Sequence, residues 1–211
     1  MSTARLNAVT VYCSSSNAVH REFFDGASAV GIGLAASGRT LVYGGGKVGL
    51  MGELARSCRG AGGRVVGIIT TALKEAEQLD PDNHETIVVE TMRERKRLLE
   101  SRGDAVVVLP GGLGTMEEFF EILVGRLLGE HNKPILVLNQ HDPGSSNGSG
   151  FYDPMLRMID HMIEAKFAKA GVKGLFTVCD TAAAVLAELR RLESVPSVVV
   201  DRMSLVPSAP V

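Results

Sequence analysis

The sequence predicts a three-layer α/β fold, a mostly parallel sheet with helices on both faces, and three observations carry that reading. Short Val-rich apolar runs recur along the chain, the pattern of strands buried on both faces of a parallel sheet. Segments with helical punctuation stand between them, so strand and helix alternate almost throughout, as right-handed βαβ crossovers require. Three strand-to-helix turns are rich in Gly or Ser. In a parallel sheet such turns share one edge, where open α/β sheets bind ligands.

Asn7 to Cys13 reads as the first strand. Ser14-Ser15-Ser16-Asn17 follows, a run of hydroxyl donors and caps that starts a helix over His20 to Ser37, stopped by Gly38. Thr40 to Tyr43 is strand two, and Gly44-Gly45-Gly46-Lys47-Val48-Gly49-Leu50-Met51-Gly52 is a turn entering a helix that ends near Gly60. Arg64 to Ile69 is strand three. Thr70 to His84 is polar and irregular, with a short helix over Leu73 to Gln78, and Thr86 to Val89 is strand four. Met92 to Arg102 is a basic helix leading into the central strand, Ala105 to Leu109. Pro110 ends that strand's ladder, and the next helix runs from Thr115 to Gly129. Pro134 to Leu138 is strand six. Asp142 to Gly150 is a Gly/Ser-rich loop, either a mobile lid or a disordered connection. Tyr152 to Ala165 is a helix, Leu175 to Cys179 the last strand and Thr181 to Leu192 the closing helix. One domain is expected over residues 1–195, with 196–211 as a flexible tail.

Composition narrows the function. The 211 residues are 45% hydrophobic and carry a net charge of −2. No excess basic field exists to neutralise phosphates in number, so neither nucleic acid nor a membrane surface is the expected partner. Three widely spaced cysteines, Cys13, Cys58 and Cys179, fit a reducing compartment. With no basic segment followed by an apolar run at the start and no stretch of membrane-spanning length, a cytoplasmic protein with a small-molecule partner is expected.

The turn from Pro110 to Thr115 looks built for an anion. Gly111, Gly112 and Gly114 permit backbone angles closed to other residues and keep side chains away, so several N–H groups can converge. Thr115, placed at the helix start, adds a hydroxyl beside the positive end of the dipole. The bland alternative is a turn that only connects two elements. Gly44-x-Gly46-x-x-Gly49 matches the dinucleotide fingerprint, but the following strand ends Ile68-Ile69-Thr70-Thr71 with no acid for the ribose. A kinase-type P-loop fails as well, because Lys47 precedes Gly49. No cofactor is therefore expected. The five histidines show no ligand spacing, so no metal is expected either. Cys13, near the crevice, reads as a small buried residue rather than a nucleophile.

Glu118 and Arg95 are the reactive candidates. Glu118, in the first turn of its predicted helix, should be ionised and able to face a cationic sugar or orient water. The competing reading is simple dipole compensation. Arg95 belongs to Met92-Arg-Glu-Arg-Lys-Arg97, four cations at a helix start where the dipole disfavours them. Glu90 and Glu94 offset that cost in one reading, and a phosphate ligand in the other.

With these residues assembled, the chain from Val9 to Leu189 resembles the LONELY GUY (LOG) family of cytokinin riboside 5′-monophosphate phosphoribohydrolases, often labelled lysine decarboxylases. The family's Pro-Gly-Gly-x-Gly-Thr-x-x-Glu signature stands intact as Pro110 to Glu118. Its Gly-Gly-Gly-x-x-Gly-Leu-Met-Gly turn is Gly44 to Gly52, its Cys-x-Ser-Ser turn is Cys13 to Ser16, and its Arg-Lys pair is Arg95-Lys96 behind Met92. Leu128-Gly-Glu-His-Asn-Lys-Pro134 and Gly150-Phe-Tyr-Asp-Pro154 complete the pattern. The resemblance implies a Rossmann-like fold and Arg95 and Glu118 as the catalytic pair. It implies substrate contacts from Lys96, Gly111, Gly112, Gly114, Thr115 and Glu77. Met92, which precedes the pair, and Ser15, Gly45 and Gly46, from the two upstream turns, join the expected substrate-binding set. Arg93 stands where the family usually has His, and Val124-Gly125 where Thr-Trp is common.

The implied reaction is hydrolysis of the N-glycosidic bond of an adenosine-type 5′-monophosphate. A decarboxylase reading lacks a lysine in a setting that argues a pyridoxal Schiff base. The alternative from another class is a noncatalytic nucleotide-sensing module, which would keep the phosphate turns and dispense with Arg95 or Glu118. A homodimer with the active site near the interface is also expected. The helix after Thr115 carries Met116, Phe119, Phe120, Leu123 and Leu127 on one stripe and Ile122, Val124 and Leu128 off it, leaving little polar face.

Overall fold

The computed structural model describes residues 5–76, 78–146 and 148–194. Glu77 and the expected tail lie outside them. Seven strands form one sheet in the order β4-β3-β2-β1-β5-β6-β7, every neighbouring pair parallel. They are β1 (Ala8–Tyr12), β2 (Thr40–Tyr43), β3 (Val65–Thr70), β4 (Glu85–Val89), β5 (Ala105–Val108), β6 (Ile135–Leu138) and β7 (Thr177–Cys179). β3, β5 and β6 are buried along their whole length, as their unbroken apolar runs require. β4, at one edge, alternates instead. The first four strands step outward from β1 one way and the last three the other, so the order reverses between β1 and β5.

Helices α1 (Arg21–Ala36), α2 (Gly49–Gly60) and α7 (Ala182–Ser194) cover one face. There Phe23, Leu34, Leu54 and Leu189 pack on Val9, Val11, Val107 and Leu109. Helices α4 (Met92–Arg102), α5 (Leu113–Leu128) and α6 (Asp153–Glu164) cover the other, with Leu99, Phe119, Ile122 and Ile159 against Tyr12, Val106 and Val108. The alternation of strand side chains between two faces sorts these sets. The short α3 (Leu73–Ala76) sits in the 71–84 connection, and a 3-10 turn over Ala170–Leu175 shortens the last strand to three residues. Among the described residues no helix is long and apolar enough to cross a membrane.

Two local expectations are corrected. Asn17 caps α2 and not α1: its Oδ1 accepts the Gly49 N–H at 2.8 Å, while α1 begins at Arg21 behind His20 with no side-chain cap. Gly49 has φ +59, and a Cβ there would lie 2.4 Å from the Ser15 carbonyl carbon, so glycine is imposed twice over. The described residues of the 142–150 loop bond to one another, which a disordered connection would not do. Asp142 N–H donates to the Ser149 carbonyl at 3.0 Å and His141 bridges Gly150.

Candidate active site

At the C-terminal edge of the sheet a cleft of about 340 Å³ opens between β1 and β5, where the strand order reverses. Ser14, Ser15 and Ser16 line it from the β1 turn, and Gly44 from the β2 turn. Arg95 of α4, Gly112 of the β5–α5 turn, and Leu113, Gly114, Thr115 and Glu118 of α5 complete most of the wall. The β1 and β5 turns are tied together, since Ser14 N–H donates to the Pro110 carbonyl at 3.2 Å. Beneath them the buried Tyr152 hydroxyl donates to the Leu109 carbonyl at 2.6 Å, fixing the end of the central strand.

The start of α5 differs from the sequence expectation in a way that favours an anion. The helix begins at Leu113, its N-cap is Gly112, and no side chain caps it. The first N–H groups of a helix have no partner within it, and here Leu113, Gly114 and Thr115 carry them along the cleft wall. Thr115 is thus inside the first turn rather than at the cap, and it is 4% exposed. Nor do the glycines use positive φ angles, which among the described residues are found elsewhere. Gly111 is required by close approach, because a Cβ would meet Thr115 Oγ1 at 2.1 Å. Gly112 and Gly114 face open space, where a Cβ would meet no protein atom within 4 Å.

Starting the helix at Leu113 also moves Glu118 into its second turn, and no acid stands in the first. Dipole compensation falls off within one turn, so it no longer accounts for this residue. Arg95 is 6% exposed. Its Nε donates to the Ile68 carbonyl at 3.0 Å and its Nη2 to the Gly44 carbonyl at 3.1 Å, while Nη1 lies 3.8 Å from Met92 Sδ. The guanidinium is therefore aimed by backbone. Tyr12, also in the cleft wall, has its hydroxyl pushed far above the usual phenol range, first by burial and then by the negative Glu118.

The cleft brings together Ser15, Arg95, Gly112, Gly114, Thr115 and Glu118. Lys96 does not line it: its ammonium is held by Glu117 and Glu121 of α5, and Glu117 above all raises it above its ordinary value. Met92 does not line the cleft either, and its Sδ lies against Arg95. Gly45 and Gly46 are buried behind Gly44, because the 78–80 strip occupies their turn. Lys47 N–H donates to the Gln78 carbonyl at 3.0 Å, and Asp80 N–H to the Gly45 carbonyl at 2.9 Å. That turn spends its groups on protein. Cys13 is buried in the cleft wall, and no group of three or more His, Cys, Asp or Glu among the described residues is placed to hold a metal.

A family model described as "Possible lysine decarboxylase" matches residues 51–189. A cytokinin riboside 5′-monophosphate phosphoribohydrolase of Mycobacterium tuberculosis is 45% identical over 131 residues, 62% of this chain and 70% of that protein. One of Rhodococcoides fascians is 38% identical over 87% of this chain and 89% of its own. A probable enzyme of the same name from Oryza sativa subsp. japonica is 37% identical over 88% and 78%. Among solved structures, the molybdenum cofactor carrier protein of Chlamydomonas reinhardtii superposes with a TM-score of 0.66 at 19% identity, over 90% of this chain and 99% of that one. The molybdenum cofactor binding protein of Rippkaea orientalis gives 0.64 at 17%, over 89% and 98%. At such identities the likeness is one of fold.

Proposed function

We propose, from the premise that this chain belongs to the LONELY GUY (LOG) family of cytokinin riboside 5′-monophosphate phosphoribohydrolases, that it hydrolyses the N-glycosidic bond of adenosine-type 5′-monophosphates. The products are the free cytokinin or adenine base and ribose 5-phosphate. One observation carries the reading at the level of residues: an uncapped helix N-terminus opens on the cleft that Arg95 and Glu118 also line. The helix start suits the 5′-phosphate. Breaking the bond to the base builds positive charge on the sugar, and the Glu118 carboxylate is the group to face it and to position water for attack at C1′. Arg95 holds the nucleotide and aids departure of the base, and the proton the base gains is balanced by the one the attacking water gives up. Ser15, Gly112, Gly114 and Thr115 complete the proposed substrate contacts, with Glu77 implied by the family resemblance.

The 5′-phosphate is expected to be required. Binding energy from that remote group places the sugar against Glu118, so its loss should depress turnover as well as affinity. Comparing free adenine released from adenosine, AMP, ADP and ATP at equal concentration tests this, with only AMP expected to be a good substrate. Adenosine cleaved as fast as AMP would remove the helix start as the phosphate site.

A homodimer is the proposed assembly. Phe119, Ile122 and Leu123 of α5 are buried, but Val124 and Leu128 remain 46% and 59% exposed beside the half-buried Phe120. These residues, with Glu117 and Glu121, line a shallow groove on the outer face of the helix. A second copy covering that stripe would remove it from water. Light scattering is expected to give twice the chain mass, and an active monomer at working concentration would refute the proposal.

A further inference from the structure

Behind the cleft lies a buried ion pair that the proposed chemistry does not use. Asp80 is 2% exposed, a costly place for a carboxylate unless its atoms are paired. Its Oδ2 accepts from Arg59 Nη1 at 2.9 Å, and its Oδ1 accepts the Asp82 N–H at 3.1 Å. Its carbonyl accepts from Asn83 Nδ2 at 3.1 Å, and its own N–H is the one donated to Gly45. The Tyr43 hydroxyl lies 2.9 Å from Asn83 Oδ1 and 3.4 Å from Asp80 Oδ2.

These bonds bracket Gly44. Tyr43, before it, is held by its side chain, and Gly45, after it, by its carbonyl. The Gly44 carbonyl between them is the one that accepts from Arg95. The packing is close: a Cβ on Gly67 of β3 would lie 2.5 Å from Asn83 Nδ2 and 2.9 Å from the Gly45 Cα. A buried pair is weak evidence for stability, and fixing one arrangement is the better attested use. We infer that Arg59, Asp80, Asn83 and Tyr43 are positioning residues, which hold the Gly44 carbonyl and through it the direction of the Arg95 guanidinium in the cleft. This rests on the phosphoribohydrolase reading for its kinetic consequence.

Asp80→Asn keeps the shape and leaves Arg59 without its charge partner, and Tyr43→Phe removes only the hydroxyl. A misdirected catalytic group is costly, so kcat on AMP should fall about tenfold or more in the first and about threefold in the second. KM should change less than kcat, since Arg95 is one of several nucleotide contacts and the helix start is untouched. Leu189→Ala, a fully buried position on α7, serves as the control: it should lower the melting temperature and leave kcat at the wild-type value. Measurements are made on the full chain where circular dichroism shows each variant folded. The Arg95 Nε–H resonance, assigned by its loss in Arg95→Ala, should shift or broaden in both network variants and not in the control. An unmoved resonance, a wild-type kcat in the network variants, or an equal loss in the control would each overturn the inference. If Asp80→Asn does not fold, Tyr43→Phe decides alone. A wild type that releases no base from any nucleoside monophosphate would sink the proposed function instead, and the resonance would then decide the positioning role.

Discussion

Replacing Glu118 with Gln is expected to cut base release by at least about a hundredfold, the size of one well-placed electrostatic contribution, while nucleotide binding changes little. The amide preserves the shape of the side chain but not the charge set against an oxocarbenium-like sugar. Glu118 is half-buried in the wall of the cleft and stands clear of the first helical turn, so its loss should not disturb the dipole. Single-turnover release of adenine, beside equilibrium binding of AMP, separates the two effects. Turnover within a few-fold of wild type would take Glu118 out of the mechanism.

Arg95→Ala is expected to cripple turnover to a similar degree and, unlike Glu118→Gln, to cost stability as well. The side chain donates to the carbonyls of Ile68 and Gly44 inside the protein. Removing it leaves buried acceptors without that donor, at about 1–3 kcal/mol each when unsatisfied. Each kcal/mol lowers the melting temperature of a chain this size by roughly 2–4 °C. Calorimetry and steady-state kinetics on the same preparation check both halves. A variant that binds AMP weakly but turns it over at the wild-type kcat would make Arg95 a clamp rather than a catalyst.

Much of this architecture was legible because local sequence dictated it. The Val-rich runs became buried parallel strands, the basic helix has the expected bounds of Met92 and Arg102, and the turns after β1 and β5 meet at one crevice. What local spacing could not disclose were partners distant in the chain. Asn17 looks in sequence like the cap of the nearest helix, yet the donor its side chain meets is the N–H of Gly49, 32 residues on. Lys96 is a substrate contact by family resemblance, and only the folding of α5 beside α4 discloses that Glu117 and Glu121 hold its ammonium. The second glycine turn resembled a cradle, and the fold fills it with residues 78–80. The buried cluster around Asp80 had one visible signal, the turn chemistry of Asp80-Pro81-Asp82-Asn83. Nothing in that run announces that Arg59 and Tyr43 will face it.

Glycine is held at Gly49 by the chain itself, whereas at Gly112 and Gly114 a side chain would meet only open space, and the proposed phosphate contact is what would keep them bare. The two kinds of constraint are policed differently in a living lineage. An alanine at 49 would be removed through misfolding and proteolysis, long before anyone assayed an activity. At 114, inside α5 and without a strained backbone angle, alanine trims the freedom of the unfolded chain and would stabilise the protein by up to about 1 kcal/mol. Abundance and catalysis would then move in opposite directions. A descendant that had lost the reaction while keeping a sturdy body should carry an early scar at 114, and an engineer seeking thermal robustness by replacing helical glycines with alanine would be led to the same residue at the expense of the proposed activity.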